Sequence, residues 1–234
     1  MKIALVTGGT GKLGSEIAFH LAKQNFEVAI SYNQSVEKLN KLIEKFNEQG
    51  FKLTYFQCDF SNPSSVYELC NSFKQVYSSL DVLINCAGIF GKNLFYETKL
   101  EDYDLFMNIN LKSTYFLIQK ISEIMNENSL IINFSSVGGM IPWRDRSLYH
   151  ISKSGVIALT RSLAIELAPR IRVVSIAPGF IETDESNSEK MPISKIPLKR
   201  YGNINHILQT VDFLIQNDYI TGVNIPVDGG RSVI

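Results

Sequence analysis

Short apolar runs alternate with longer stretches in which apolar residues recur every three to four positions, and the alternation continues along the whole chain. "KIALV" is followed by an amphipathic stretch at 13–24, "FEVAIS" by 35–49, "KLTYFQ" by 63–79 and "DVLIN" by 100–127. Then come "SLIINFS", a stretch at 148–168, "IRVVSIA", a stretch at 204–216 and a last run, "VNIPV". Short runs predict strands and the helical period predicts helices. "VLIN" and "LIINF" lack polar alternation, as strands buried on both faces of a parallel sheet require. The pattern predicts an α/β protein, a doubly wound three-layer sandwich with a seven-stranded, mostly parallel sheet.

No internal repeat or Pro/Gly-rich linker divides the chain, so one domain over 1–234 is expected. The polar stretch "ETDESNSEKMPISK" interrupts the alternation after "IRVVSIA" and predicts a substrate loop near 182–200. Hydrophobic residues make up 45% of the chain and the mean hydropathy is near zero, which fits a soluble protein with a large core. Lys+Arg and Asp+Glu both number 23, so no broad positive field invites nucleic acid or an anionic membrane, and a small-molecule partner is expected. Cys58, Cys70 and Cys86 show neither CxxC spacing nor a His/Cys cluster, which predicts reduced structural thiols and no metal. No apolar run has the length of a secretory signal or a membrane span, so a cytoplasmic protein is expected.

The first strand runs directly into "TGGTGKLG", residues 7–14, and then into an amphipathic helix. Glycines there let the backbone turn tightly and approach a pyrophosphate at the positive end of the helix. A triphosphate loop would need GxxxxGK[ST]; here Leu13 follows Lys12 and Val6 stands five residues before Gly11, which excludes it. A tight turn with no ligand remains the alternative reading of the loop alone.

In "YHISK", Tyr149 and Lys153 lie four apart on one helical face, where an ammonium favours the phenolate and lowers a tyrosine pKa of about 10. Ser136, at the end of "SLIINFS", falls at the carboxyl edge of the sheet and can polarise a substrate carbonyl. His150 is read as a helix-surface or interface residue.

These residues belong to a longer series. The first turn, "CDF" with Asp59, "NCAG" at 85–88, "NIN" with Asn110, Ser136, "YHISK", "APGFIETD" at 177–184 and "YITGVNIPVDGG" at 219–230 together resemble the short-chain dehydrogenase/reductase family over the full length. The resemblance implies an NAD(P)-binding Rossmann domain that passes hydride between a nicotinamide and a carbonyl. Tyr149 would be the general acid in reduction and Ser136 would orient the carbonyl. Lys153 would lower the tyrosine pKa and hold the nicotinamide ribose, and Asn110 would support a water-mediated proton relay. Gly8 and Gly14, with their neighbours Thr10, Gly11, Lys12 and Leu13, would cradle the pyrophosphate. Asp59, beside Phe60, would bind adenine, and Asn85, Ala87 and Gly88 would line the adenosine ribose region. Pro178, Gly179, Ile181 and Thr183 would shape the nicotinamide end.

Three departures qualify the likeness. The spacing Gly8, Gly11, Gly14 is the TGxxGxxG of the extended branch on a chain of compact-branch length, and Lys12 stands where compact members carry glycine. "NCAG" replaces NNAG. The second strand ends in Ser31, Tyr32 and Asn33 without a carboxylate, which permits a 2′-phosphate, so NADP(H) is favoured over NAD(H).

"APGFIETD" and the ending "YITGVNIPVDGG" resemble the 3-oxoacyl-acyl-carrier-protein reductases of fatty-acid synthesis, so a 3-oxoacyl thioester, free or on acyl carrier protein, is the expected substrate. The loop before "IPLKRYG" is several residues shorter than in those enzymes, and its polarity keeps a sugar, polyol or other small ketone as the alternative. A dinucleotide sensor without chemistry is the third. Arg144, Arg146, Arg170 and Arg172 are candidates for a basic docking patch toward the acidic carrier. Apolar residues on more than one face of 100–127 and 148–168, with the terminal "DGGRSVI", predict a homotetramer or homodimer.

Overall fold

The computed structural model of the protein describes residues 1–182 and 191–234. The apolar runs form β1 (Lys2–Val6), β2 (Phe26–Tyr32), β3 (Leu53–Gln57), β4 (Leu80–Asn85), β5 (Met125–Phe134), β6 (Ile171–Pro178) and β7 (Asn224–Val227). Every pairing is parallel, in the order β3-β2-β1-β4-β5-β6-β7. The crossovers carry α1 (Lys12–Lys23), α2 (Val36–Glu48), α3 (Pro63–Val76), α4 (Leu100–Met107), α5 (Ser113–Ile121), α6 (Ser147–Glu166) and α7 (Ile204–Gln216). Winding reverses between β1 and β4, and a crevice opens above the carboxyl ends of the strands at that point.

The strand pleat sends neighbouring side chains to opposite layers. Ala4 and Val6 pack with Ile17, Phe46 and Val211 of α1, α2 and α7, whereas Leu5 packs with Phe73, Leu117 and Leu163 of α3, α5 and α6. Through the sheet runs a polar chain: Asn85 Nδ2 donates to Asn133 Oδ1 (2.8 Å), Asn133 Nδ2 donates to Thr160 Oγ1 (3.0 Å), and Thr160 Oγ1 donates to Val156 O (2.8 Å). It ties β4 and β5 to α6, where a slipped register would leave buried amides unpaired.

The stretch at 100–127 is not one helix. It divides into α4, a π turn at Asn108–Lys112, α5 and a 3-10 turn at Ser122–Ile124, and β5 starts four residues earlier than "SLIINFS". Met125 is buried beside Leu80 as a strand residue, and the register then shifts before Val82 pairs with Leu130. Burial of Met125 on the sheet outweighs continuation of the helix.

The first loop works through close approach. A Cβ on Gly14 would lie 2.3 Å from Gly8 O, and one on Gly9 would lie 2.4 Å from Ile30 Cβ, so α1 can sit against β1 and β2 only with glycine at both positions. At Gly11 the nearest contact would be 3.1 Å, which a small shift relieves. Gly14→Ala is therefore expected to cost about 2 kcal/mol and lower Tm by roughly 4–8 °C. Gly11→Ala is expected to change Tm by less than half as much, and calorimetry on both variants checks the ordering.

Candidate active site

Lys153 is 6% exposed, and its Nζ donates to Phe134 O (2.7 Å) where α6 crosses the end of β5. One turn earlier Tyr149 stands beside Ser136, with which its hydroxyl is hydrogen bonded. The segment after β5 is held to α6 for this purpose: His150 Nδ1 donates to Gly138 O (2.7 Å), Ser154 Oγ donates to Gly139 O (2.7 Å), and Ser136 Oγ accepts from Gly138 N (3.0 Å). His150, half-buried on α6, thus also pins two elements together. A Cβ on Gly138 would come within 2.8 Å of Tyr149 Cε1, so the segment lies flush against the phenol.

Asn110 sits in the π turn, a helix irregularity common at functional sites. Its Oδ1 accepts from Ile89 N (2.8 Å), and its Nδ2 donates to Ile89 O (3.1 Å) and Ser152 Oγ (2.9 Å). A Cβ on Gly88 would lie 3.1 Å from Asn110 Oδ1 and 3.2 Å from Lys153 Nζ, so β4, the π turn and α6 converge on one point.

Burial sets the electrostatics. It brings the Lys153 ammonium down to about 8 and pushes the Tyr149 hydroxyl above its ordinary value, opposed by the hydrogen bond to Ser136 and by the Arg146 charge. Lys153 Nζ donates to Phe134 O, and the cation whose charge opposes the rise at the phenol is Arg146. Burial also pushes Cys58 up to about 11 and Cys70 and Cys86 up to about 12, which keeps all three as unreactive thiols.

Two cavities meet along the carboxyl edge, sharing Cys86, Gly88 and Ile89. One, of about 310 Å³, is lined by Lys12, Leu13, Ser136, Tyr149, Lys153, Pro178, Gly179 and Ile181. The other, of about 240 Å³, brings together Gly8, Thr10, Gly11, Ser31, Tyr32, Asn33, Asp59, Phe60 and Ala87. Asp59 Oδ1 accepts from Ser61 N (2.9 Å) and Ser61 Oγ (2.8 Å), which fixes the carboxylate at the rim. A dinucleotide fits these residues: glycine backbone at the N-terminus of α1, a cradle at Gly88 that a Cβ would fill, and a lysine and a carboxylate at opposite ends.

Some candidates stand elsewhere. Gly14 lies beneath the loop, and Asn85 is buried on Asn133, bracing β4 instead of lining a ribose pocket. Ser31 reaches the crevice, but its Oγ accepts from Gly8 N (3.2 Å) and its O from Gly9 N (2.8 Å), so it also secures the loop. Thr183 and residues 184–190 of the expected substrate loop lie outside the described residues. After β6, Gly202 N donates to Phe180 O (2.9 Å) and Glu182 N to Gly202 O (2.7 Å).

The basic docking patch is corrected too. Arg170 donates to Met125 O (2.5 Å) and Ser122 O (2.9 Å), and Arg172 to Ile220 O (3.0 Å) and Leu214 O (3.1 Å). Both stand at the amino end of β6, across the sheet from the site, and hold chain ends in place. Arg146 is buried, and only Arg144 is exposed.

Sequence reasoning missed the aromatic side of the crevice. Phe90 meets Tyr149 edge to face at 4.9 Å, and Trp143 stacks on Phe180 at 5.7 Å with its Nε1 buried and unpartnered. It also missed Thr7, whose Oγ1 accepts from Cys86 N and Ala87 N (both 3.0 Å), and Asn224, whose Oδ1 accepts from Ser135 Oγ (2.6 Å). Thr7 could have been found from its place before the glycines. Nothing in the spacing of the aromatic residues marks them.

Among the described residues no group of His, Cys, Asp and Glu could hold a metal, and no helix is long and apolar enough to cross a membrane. A family profile described as enoyl-(acyl carrier protein) reductase matches residues 10–232. The chain is 36% identical to the 3-oxoacyl-(acyl-carrier-protein) reductase FabG of Staphylococcus epidermidis, over 98% of both chains. It is 34% identical to the 3-oxoacyl-(acyl-carrier-protein) reductase of a Synechocystis species, over 98% of this chain and 96% of the relative. A blue fluorescent protein from a metagenomic library, solved in complex with NADPH, superposes with a TM-score of 0.91 at 31% identity, over 98% of this chain and 97% of that one. A Burkholderia cenocepacia short chain dehydrogenase in complex with NADP gives 0.91 at 29%, with the same coverage. On its sequence, its fold and the joint placement of Ser136, Tyr149 and Lys153, the chain belongs to the short-chain dehydrogenase/reductase family of NAD(P)-dependent oxidoreductases.

Proposed function

We propose that the protein reduces a carbonyl to an alcohol with NADP(H), and that the carbonyl is the 3-oxo group of an acyl thioester, free or carried on acyl carrier protein. One observation carries the reaction class: Ser136, Tyr149 and Lys153 face the same crevice that the glycine loop lines. The names of the most similar curated relatives support the thioester.

When bound, the dihydronicotinamide supplies the hydride to the carbonyl carbon. Ser136 holds the carbonyl oxygen within reach of Tyr149 and stabilises the charge that develops on it. Tyr149 releases its hydroxyl proton to that oxygen, a transfer worth typically 10²–10⁴-fold in rate. Lys153 is placed to bind the nicotinamide ribose. Both ends of the Asn110 amide are taken, so its part in a proton relay is to hold Ile89 and Ser152 in line. Leu13, Pro178, Gly179 and Ile181 keep water from the reacting face.

A separate groove supports NADP(H). Lys12, Lys38, Lys41 and Lys45 line a cavity of about 300 Å³ that shares Thr10 with the adenosine-side cavity. Among the described residues the lining carries these four lysines and one carboxylate, Glu16, which pairs with Lys45 (2.8 Å), beside a β2 end that has no carboxylate. A 2′-phosphate is favoured there. For assembly, a homotetramer or homodimer is proposed, supported by Tyr103, Leu105, Tyr115, Ile151 and Ile165, which α4, α5 and α6 leave exposed.

Three measurements test the reading. Oxidation of NADPH with acetoacetyl thioesters is expected to exceed that with ketones, sugars and polyols; turnover of sugars alone would move the substrate to a carbohydrate, and cofactor binding without any turnover would make the protein a sensor. Tyr149→Phe is expected to lower kcat by 10²-fold or more with little change in NADPH affinity, and a kcat near wild type would remove Tyr149 as proton donor. The double variant Lys12→Glu/Lys38→Glu is expected to lower the ratio of NADPH to NADH kcat/KM by about tenfold or more, a loss of about 1.4 kcal/mol. An unchanged ratio would place the 2′-phosphate elsewhere.

A further inference from the structure

The start of α6 is fastened to the loop after β4 more firmly than covering a helix end requires. Asn93, 8% exposed, accepts at Oδ1 from Leu148 N (3.2 Å) and donates from Nδ2 to Ser147 Oγ (2.9 Å) and Thr98 Oγ1 (3.2 Å), while its N–H donates to Asp145 O (2.8 Å). The clamp brings Arg146 over Phe90, with the guanidinium carbon 4.3 Å from the ring centroid. The same ring meets Tyr149 at 4.9 Å with an interplanar angle of 86°. Of two arginines in this segment, the Arg144 side chain is 96% exposed and Arg146 is 9% exposed. The clamp thus holds a guanidinium one helical turn from the proton donor, stacked on a ring that the phenol also meets.

We propose that Arg146 is a positioning residue for Tyr149: stacked on Phe90, it holds that ring edge to face against the phenol and supplies the positive charge that favours release of the hydroxyl proton. The inference rests on reading Tyr149 as the proton donor. Among the described residues the phenol meets no carboxylate from the elements packed on it. Segment 135–142 carries no titratable group, α4 presents Phe106, and Lys92 and Glu97 of the loop after β4 are exposed. On α6 itself, Lys153 Nζ is turned to Phe134 O with Cys86 nearby, and His150 is bound to Gly138 O. Among the described residues Arg146 is the charge that acts on the hydroxyl, and its effect opposes the rise that burial causes.

The test replaces the charge and then the ring. A cation favours the phenolate, so its removal moves the ionisation of Tyr149 upward. Reduction needs the protonated hydroxyl and alcohol oxidation needs the phenolate. In Arg146→Met the alkaline limb of kcat/KM for reduction and the acid limb for oxidation are both expected to rise by about one pH unit, with oxidation near neutral pH falling about tenfold. Arg146→Lys is expected to recover part of the shift. Phe90→Leu, which keeps the arginine and removes its platform, is expected to move the limbs the same way by less, and it decides the matter should Arg146→Met fail to fold. A titration that needs no turnover runs alongside: isotope-labelled tyrosine followed by NMR, without cofactor and with NADP, the Tyr149 signal identified by its loss in Tyr149→Phe. If the wild type reduces no carbonyl but the Tyr149 signal shifts upward in Arg146→Met, only the reading of function falls. Equal titration in both proteins, no ionisation of Tyr149 while the wild type is folded, or an even loss of rate at all pH values with unmoved limbs overturns the role of Arg146.

Discussion

The architecture around the crevice depends on one buried ammonium. Lys153 lies under the carboxyl edge of the sheet, and its Nζ donates to a backbone carbonyl, that of Phe134. Desolvating a cation costs several kcal/mol unless its surroundings are arranged to receive it, and burial correspondingly brings its pKa down to about 8. The surroundings are so arranged. A Cβ on Gly139 would come within 2.7 Å of the Lys153 backbone, and one on Gly88 within 3.2 Å of Nζ, so two strand-end turns approach the lysine only because both are glycine. Tyr149, Ser136 and the Asn110 turn take their places from the same approach.

Much of this was legible in the chain, for reasons that differ by residue. Parallel strands buried on both faces must be written as unbroken apolar runs, so "VLIN" and "LIINF" announced their place in the sheet. The glycines at 8, 11 and 14 and the pair Tyr149 and Lys153 could be read because backbone approach and helical spacing are local properties. Met125 could not be placed, because its fate was settled by Leu80, far away in sequence. Arg170 and Arg172 looked like a binding surface for the same reason: a positive side chain in sequence says nothing of the carbonyls that will meet it, here those of Ser122, Met125, Leu214 and Ile220. Asn85 belongs with them, since its partner Asn133 lies on the neighbouring strand.

The aromatic side of the crevice illustrates a further limit. Phe90, Trp143 and Phe180 come from three separate connections and converge only when β4, β5 and β6 lie side by side, so no periodicity relates them. Of the three, Phe90 meets the Tyr149 ring and lines the cavity with it. The burial that raises the pKa of the Tyr149 hydroxyl also strengthens each charge and dipole acting on it, since fields grow as water is excluded.

A proton donor for catalysis near neutral pH needs a pKa close to the working range, and burial works against this by pushing the Tyr149 hydroxyl above its ordinary value. Excluding water protects the hydride-transfer face but makes the phenol harder to ionise. The hydrogen bond to Ser136 and the charge of the guanidinium held over Phe90 oppose that rise, while Lys153 Nζ donates to the sheet edge at Phe134 O. With Tyr149, Ser136 and Arg146 in the roles proposed for them, the loop after β4, which holds Arg146 through Asn93 and Phe90, adjusts where on the pH scale the chemistry runs.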